Sequence, residues 1–235
     1  MVSGLAEPGP VLIVTKGVKT RVALTLACLL AAFAFLGARG AFAPAAASDA
    51  PPASSAHLET AVLAGGCFWG MEGVFESLRG VTNVVSGFSG GSALTAHYEV
   101  VSTGMTGHAE SVQITFDPQR ISYRQLLEVY FTVAHDPTEL NRQGPDEGTQ
   151  YRSAIFYTSP EQEREAHDFI AMLAAAKAFS SPIVTQVVPF RAFYPAEAYH
   201  QHFMRLHPDY PYIVYNDAPK IVALRKLYPQ LVASQ

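Results

Sequence analysis

In the stretch VLAGGCFWG, residues 62–70, an apolar run stops at two glycines, and a cysteine followed by two aromatic residues comes next. The pair Gly65-Gly66 lets the backbone turn sharply, and the residues from Glu72 to Leu78 continue with helical spacing of apolar side chains. We therefore predict a strand end, a tight turn and a helix start, with Cys67 in the first helical turn. Unpaired N–H groups and the helix dipole favour a thiolate there, which predicts a lowered thiol pKa. The alternative for a lone cysteine is a small buried hydrophobic residue.

The composition indicates one globular domain with a sizeable core. The chain has 235 residues, of which 49% are hydrophobic, and a formal net charge of −4 at pH 7. With 16 Lys and Arg residues against 20 Asp and Glu residues, it lacks the basic excess of a nucleic-acid-binding protein, so no nucleic-acid partner is expected. The two cysteines, Cys28 and Cys67, exclude a disulfide framework and allow at most one bridge.

The first 57 residues have the order of a secretory signal and a linker. Lys16, Lys19 and Arg21 precede an uncharged stretch over residues 22–37, after which Ala, Pro, Ser and Gly dominate. We assign residues 1–57 to this segment and residues 58–235 to the folded domain, and we expect a periplasmic or secreted location.

Two features of this segment leave alternatives open. Cleavage after Ala47 or nearby is favoured over cleavage after Ala43, because Pro44 would follow the second cut. An uncleaved membrane anchor is the second choice, because the apolar run is at the short end of the roughly 20 residues that a membrane span needs. Cys28 lies inside this run and is not expected to pair with Cys67.

The folded part reads as strands and helices in alternation. We predict an α+β fold: a single two-layer domain with a mixed β-sheet and packed helices, ferredoxin-like in general style. Glycine-rich connections are expected over residues 87–91 and 104–107, and a long polar loop over 136–150. The predicted strands cover residues 61–64, 111–117, 151–157 and 183–188, and the predicted helices cover residues 67–78, 122–135, 159–178, 196–206 and 221–228.

Strand alternation makes Glu110 a candidate proton donor. Glu110 has the same parity as Val112, Ile114 and Phe116, so its carboxyl group should point to the apolar face, while Ser111 faces away. Burial raises the pKa of a carboxyl group and makes it a proton donor near neutral pH. The alternative is a glutamate at the strand end that twists out to solvent, because glutamate is rarely buried without a partner.

Several motifs in series resemble the A-type peptide methionine sulfoxide reductase family. The resemblance covers about residues 60–205 and includes a late PAEAYHQ at residues 195–201. A chance match of all the motifs in order is very improbable, whereas GCFW alone would only be suggestive. The other motifs are GCFWG at 66–70, YEVVSTG at 98–104, TGHAE at 106–110, HDPT at 135–138 and DEGTQYRS at 146–153.

The resemblance implies chemistry at four residues. A Cys67 thiolate attacks the sulfoxide sulfur, Glu110 delivers a proton to the departing oxygen, and the phenols of Tyr98 and Tyr151 hydrogen-bond that oxygen. It also implies a sulfenic acid on Cys67, release of methionine and selectivity for the S epimer of free and protein-bound methionine sulfoxide. Without the family, each tyrosine would pass for an ordinary core or surface residue.

The resemblance also implies a substrate pocket. Phe68 and Trp69 hold the S-methyl group, since sulfur and methyl groups pack favourably on aromatic faces, and Asp146 positions the polar end of the site. Two aromatic residues in a first helical turn could also serve helix packing alone, and Asp146 could be an ordinary loop acid. Oxidised proteins and free methionine sulfoxide are the expected substrates of a monomer.

The chain departs from many members of that family in its cysteines. They often carry further cysteines near the C-terminus that resolve the sulfenic acid, but no cysteine follows Cys67 among the 235 residues. We expect no bound cofactor, and regeneration by an external thiol: a small-molecule reductant, a glutaredoxin or a thioredoxin-like partner.

The sequence also allows two other functions, and three of its histidines raise the question of a metal site. A cysteine at a helix start with histidines elsewhere fits a cysteine hydrolase, and an aromatic pocket fits a secreted binding module. His200, His202 and His207 could suggest metal ligands, but a His-x-His pair on a helix turns its rings to different faces. Core and surface roles are preferred for them, and no metal site is expected.

Overall fold

A computed structural model describes residues 57–233 of the chain, and the predicted signal segment with Cys28 lies outside the described residues. The strands are β1 (Glu59–Ala64), β2 (Val81–Ser89), β3 (Ala109–Phe116), β4 (Arg142–Gln143), β5 (Asp146–Glu147), β6 (Ala154–Tyr157), β7 (Gln186–Pro189) and β8 (Phe193–Pro195). The helices are α1 (Phe68–Glu76), α2 (Tyr98–Val101), α3 (Tyr123–Val129), α4 (Pro160–Ala175), α5 (Phe203–Leu206) and α6 (Ala218–Leu227).

Six of these strands form one mixed sheet in the order β7-β6-β1-β3-β2-β8. Neighbouring strands are antiparallel except β6 and β7, which are parallel, and β4 pairs with β5 in a separate small hairpin. Helix α1 packs against β2 and β3, and α4 packs against β6 and β7. The predicted α+β class, with a mixed sheet and packed helices, is confirmed.

The central strands are covered on both faces. Val112, Ile114 and Phe116 of β3 face the main core together with α1, while Ala109 belongs to a smaller cluster on the other face. Ser111 faces away from the main core, as predicted, but it is fully buried on that second side. The second apolar cluster comes from distant strands, and alternation within β3 alone could not reveal it.

The helix starts follow their local signals. The Ser122 side chain accepts from the Gln125 N–H and the Gln125 side chain accepts from the Ser122 N–H, which is a complete capping box for α3. The helix continues through a π turn over Tyr130–Ala134 and ends at His135, as predicted. Ser159 caps α4, with Pro160 as its first residue.

Two strands of the main sheet, β2 and β8, were not predicted, and neither was the small β4–β5 hairpin within the predicted loop 136–150. The predicted glycine-rich connection at residues 87–91 begins inside β2, where Gly87 pairs with Pro195 of β8. A Cβ atom on Gly87 would lie 2.4 Å from the Tyr194 carbonyl oxygen, so this glycine permits close approach of two strands. The helix predicted over residues 196–206 is two short pieces, a 3-10 turn over Ala198–His200 and α5.

No helix within residues 57–233 is both long enough and apolar enough to cross a membrane.

Candidate active site

Cys67 lies at the junction of β1 and α1, where the chain turns sharply. Gly66 has a φ of +92°, and Cys67 immediately precedes the first residue of α1. A Cβ atom on Gly65 would lie 2.8 Å from the His135 ring, and one on Gly66 would lie 2.6 Å from the Gln143 side chain. Both glycines are needed for this packing, and Gly66 also for its backbone conformation. The predicted turn is confirmed, and it leaves Cys67 9% exposed.

The carboxyl group of Glu110 lies at the N-terminus of α1, next to Cys67. Its Oε2 atom accepts a hydrogen bond from the Phe68 N–H at 3.1 Å, and the residue is 2% exposed. Burial raises the pKa of Glu110 to about 8, and the Phe68 N–H offsets only part of that increase. The carboxyl group is therefore mostly protonated at neutral pH. The orientation and the raised pKa predicted from strand parity are confirmed.

The prediction of a lowered thiol pKa at Cys67 is wrong for this structure. Burial raises the pKa of the Cys67 thiol well above its usual range, and the neighbouring Glu110 and Asp217 raise it further. The backbone N–H of Trp69 lowers the same pKa, as expected at a helix N-terminus, but this effect is smaller. The lowered pKa was predicted from the helix N-terminus alone, but in the folded chain burial and acidic neighbours have the larger effect on the thiol pKa.

Tyr98 and Tyr151 reach the same site from two separate segments. Tyr98 is the first residue of α2, where its backbone N–H donates to Glu197 Oε1 at 3.0 Å. Tyr151 is the last residue of a 3-10 turn that precedes β6. It therefore lies outside the strand, whereas the sequence predicted a strand from residue 151. Burial raises the pKa of Tyr98 to about 12 and also raises that of Tyr151, and charges on Glu110 and Cys67 add to both increases. Both phenols are therefore protonated hydrogen-bond donors near the thiol and the carboxyl group.

The two aromatic residues after Cys67 have different surroundings. Phe68 is 1% exposed, and its ring centroid lies 5.0 Å from that of His200 and 5.8 Å from that of Phe88. Trp69 is partly exposed, stacks on Phe203 with centroids 3.8 Å apart, and donates its Nε1–H to His200 Nδ1 at 3.1 Å. Trp69 therefore offers a partly accessible ring whose orientation is fixed by Phe203 and His200, whereas Phe68 is buried against Phe88 and His200.

Three residues that the sequence argument missed also belong to this region. The Tyr212 hydroxyl donates to Asp146 Oδ2, and Lys220 Nζ lies 3.0 Å from Oδ1 of the fully buried Asp217. Burial raises the pKa of Asp146, and both Tyr212 and Lys220 lower it. The three lie beyond residue 205, and the sequence Asp-Ala-Pro reads as an ordinary helix start. No local signal therefore marks them as neighbours of Cys67.

A cavity of about 330 Å³ opens beside Cys67. Tyr212 and Lys220 line one part of it, and His135 and Gln143 line another. Cys67 is therefore largely buried but borders a cavity, whereas Glu110, Tyr98 and Tyr151 do not line that cavity.

The histidines near the turn are occupied by other groups. His135 Nε2 hydrogen-bonds to Ser153 Oγ at 2.7 Å, its Nδ1 bonds to a backbone carbonyl, and burial lowers its pKa to about 4. His200 is buried and accepts from Trp69. No histidine of residues 57–233 hydrogen-bonds to Cys67, whereas a cysteine hydrolase needs such a base.

A substrate at Cys67 can receive electrons from sulfur while a neutral carboxyl group supplies a proton, without a histidine base. This combination, in an α+β fold, fits a cysteine-dependent oxidoreductase. Comparison with known proteins then identifies the kind. The chain belongs to the peptide methionine sulfoxide reductase family, whose model matches residues 59–231.

Individual relatives agree with this assignment. The peptide methionine sulfoxide reductase MsrA 2 of Mesorhizobium japonicum is 55% identical over 177 residues, which cover 75% of this chain and 91% of that protein. MsrA of Thermus thermophilus is 49% identical over 174 residues, covering 74% of this chain and 97% of that protein.

Solved structures show the same fold. Reduced Mxr1 from Saccharomyces cerevisiae has a TM-score of 0.61 and 32% identity, covering 65% of this chain and 87% of that one. Methionine sulfoxide reductase A of Corynebacterium diphtheriae has a TM-score of 0.57 and 36% identity, covering 64% of this chain and 76% of that one. The chain is therefore an oxidoreductase that acts on sulfur, and neither the hydrolase nor the binding module is retained.

Proposed function

We propose that the chain reduces the S epimer of methionine sulfoxide, in proteins and as the free amino acid, and so repairs oxidised proteins. The observation that carries the mechanism is the hydrogen bond from the Phe68 N–H to Glu110, because it holds a neutral carboxyl group beside the Cys67 thiol. Methionine sulfoxide carries negative charge on oxygen, so its reduction needs a nucleophile at sulfur and a proton at oxygen.

The reaction at Cys67 begins with both groups protonated. Glu110 gives its proton to the sulfoxide oxygen, and Tyr98 and Tyr151 donate hydrogen bonds to the same oxygen. The sulfoxide sulfur becomes electrophilic, and the carboxylate that forms on Glu110 accepts the thiol proton as the Cys67 sulfur attacks.

The products are methionine and a Cys67 sulfenic acid. The S–O bond of the substrate and the S–H bond of Cys67 break, while an S–O bond forms on Cys67 and an O–H bond forms on that oxygen. Methionine sulfur gains two electrons and Cys67 loses two, so the step needs no other reductant. The neighbouring rings of Phe68 and Trp69 hold the S-methyl group, and Asp146 with Tyr212 orients the polar end of the substrate.

A single-turnover experiment tests this reaction. The full chain is mixed with a peptide that carries either the S or the R sulfoxide, without an added thiol. We expect one methionine per chain from the S epimer alone, a Cys67 sulfenic acid trapped by dimedone, and no intramolecular disulfide by mass spectrometry. Equal turnover of both epimers, or no adduct on Cys67, would contradict the proposal.

An external thiol regenerates Cys67. The thiol displaces water from the sulfenic acid and forms a mixed disulfide, and a second thiol releases reduced Cys67 and a disulfide. The support is that no cysteine follows Cys67 in the 235 residues. Steady-state rates with dithiothreitol, a glutaredoxin and a thioredoxin rank the donors. Loss of two thiols from the chain in one turnover would refute the need for an external donor.

An extracytoplasmic site of action is proposed on the sequence alone. Basic residues, an uncharged apolar run and a small-residue segment precede the folded domain, which we place at residues 58–235. The mature N-terminus of protein from fractionated cells, read by mass spectrometry, tests both location and boundary. Sedimentation of the same sample tests the proposed monomer.

A further inference from the structure

A second cluster of ionisable groups lies where the segment before α5 crosses α1. Glu72 and Glu76 are one helical turn apart on α1, and His202 is the residue that precedes α5. The candidate ligand atoms of these three side chains lie within 4.8 Å of one another. None of the three takes part in the mechanism proposed at Cys67.

The contacts within this cluster are asymmetric. Glu72 Oε2 accepts from the His202 backbone N–H at 2.8 Å, while Glu72 Oε1 lies 3.7 Å from His202 Nδ1. The same Nδ1 atom hydrogen-bonds to Glu76 Oε1. His202 therefore faces two carboxyl groups with one ring nitrogen.

Glu72 has a buried carboxyl oxygen that lacks a hydrogen-bond partner among the described residues. It is 1% exposed, and its Oε1 atom, which is turned towards His202 Nδ1, has no hydrogen-bond partner among residues 57–233. The buried Ser86 hydroxyl also has no partner within hydrogen-bond distance, although it lies close enough to Glu72 to lower the pKa of that carboxyl group. A buried carboxylate oxygen without a partner is costly and indicates a missing ligand.

The charges around the cluster favour a cation. No lysine or arginine within residues 57–233 forms a salt bridge with Glu72 or Glu76, and His202 is positive only when protonated. Among residues 57–233, His202 is therefore the only basic side chain within 4 Å of the two acids.

We propose that Glu72, Glu76 and His202 form a binding site for a divalent transition-metal cation of the zinc class. One imidazole nitrogen and two carboxylate oxygens are typical zinc ligands at bond lengths of about 2.0–2.2 Å, whereas magnesium and calcium prefer oxygen alone. Tetrahedral ligands at that length lie about 3.3 Å apart, so small side-chain movements suffice. Water completes the coordination from a cavity of about 160 Å³ that Glu76, Asn83 and His202 line.

The bound cation ties the segment before α5 to the helix that begins after Cys67. Phe203 follows His202 directly and stacks on Trp69. The cation therefore also helps to fix the position of the Trp69 ring in the active site. In the sequence, the spacing of His202 from His200 gives no indication of a metal site. In the structure its partners are two acids on another element.

Zinc binding to the full chain tests the site. All proteins carry Cys67→Ser and no affinity tag, so neither the thiol nor a tag contributes ligands. We expect one zinc ion per chain by competition with a chromophoric chelator at neutral pH, and a visible d–d spectrum with cobalt. A saturating cation should raise Tm by about 5–10 °C.

Three variants locate the cation. His202 has a φ of +56°, which asparagine tolerates, so His202→Asn removes the nitrogen ligand and keeps the turn. His202→Asn and Glu76→Gln should each weaken zinc binding by about 10- to 100-fold, and His207→Gln, an exposed neighbouring histidine, should leave it unchanged.

Two outcomes overturn the proposal. One is the absence of a stoichiometric zinc ion. The other is binding that both His202→Asn and Glu76→Gln leave intact, which would place the ion elsewhere. Thermal melts without metal establish that each variant is folded, and two independent variants keep the test decisive if one of them is not. The result does not depend on reductase activity, because all the proteins lack the Cys67 thiol.

Discussion

Replacement of Glu110 by glutamine removes the proposed proton donor and leaves its shape almost unchanged. The glutamine carbonyl can still accept from the Phe68 N–H that Glu110 Oε2 binds at 3.1 Å. Because the pKa of Glu110 is raised to about 8, the wild-type carboxyl group is neutral at pH 7, as the amide is. Glu110→Gln should therefore isolate the loss of a transferable proton. General acid catalysis contributes about 10²- to 10⁴-fold, so sulfenic acid formation should slow by that factor.

The same substitution changes how stability depends on pH. Below about pH 4.5 Glu110 is protonated in both the folded and the unfolded chain, so the two proteins should be equally stable. Between about pH 4.5 and 8 the unfolded chain loses this proton and the folded chain keeps it, so the wild type loses stability relative to the variant. Above about pH 8 the difference should level off on the order of 4–5 kcal/mol in favour of Glu110→Gln.

Two assays check these effects. Rapid-quench single turnovers with an S-sulfoxide peptide give the rate of methionine formation, and urea denaturation from pH 4 to 9 gives the free energy of unfolding. Glu147→Gln is the matched control, because that side chain is 77% exposed and should change neither quantity. A variant that keeps more than about a tenth of the wild-type rate would refute the role of Glu110 as proton donor. Parallel stability curves would refute its raised pKa.

Four further substitutions probe the rest of the site. Cys67→Ser should abolish turnover and leave sulfoxide binding largely intact in equilibrium titrations. Tyr98→Phe and Tyr151→Phe should each lower kcat/KM about 10- to 100-fold, and the double variant should lose more than either, because one phenol still donates when the other is removed. Gly70→Ala should lower the free energy of unfolding in urea by about 1–3 kcal/mol, because the new Cβ atom would lie 2.0 Å from Asp217 Oδ1.

The parts of the fold that sequence alone predicted are those with a local cause. The turn at Gly65-Gly66, the capping box at Ser122 and the apolar parity of Glu110 all follow from residues within a few positions of one another. In each case the structure adds a tertiary partner, such as the His135 ring against Gly65, that agrees with the local preference.

The parts that sequence could not predict depend on distant segments. β2 lacks clear alternation and has an irregular register between Val81 and Asn83, so its strand structure depends on pairing with β3. The Asp217–Lys220 pair reaches Gly70 only after α6 has packed on α1. The thiol pKa of Cys67 was predicted with the wrong sign for the same reason, since burial and acids from other segments outweigh its own helix.

The raised pKa values of Cys67 and Glu110 have the same main cause, which is burial. Because burial holds both the thiol and the carboxyl group protonated, the resting site contains no buried charge at these two atoms, which would be costly without a partner. In the proposed mechanism, a thiolate forms only when a sulfoxide oxygen takes the Glu110 proton and the new carboxylate can accept the proton of the thiol. Among 235 residues no cysteine after Cys67 is present to trap a sulfenic acid before it oxidises further, and oxidation follows thiolate character. If the proposed mechanism holds, a neutral resting thiol limits oxidation by peroxides, and the substrate itself supplies the condition under which Cys67 becomes nucleophilic.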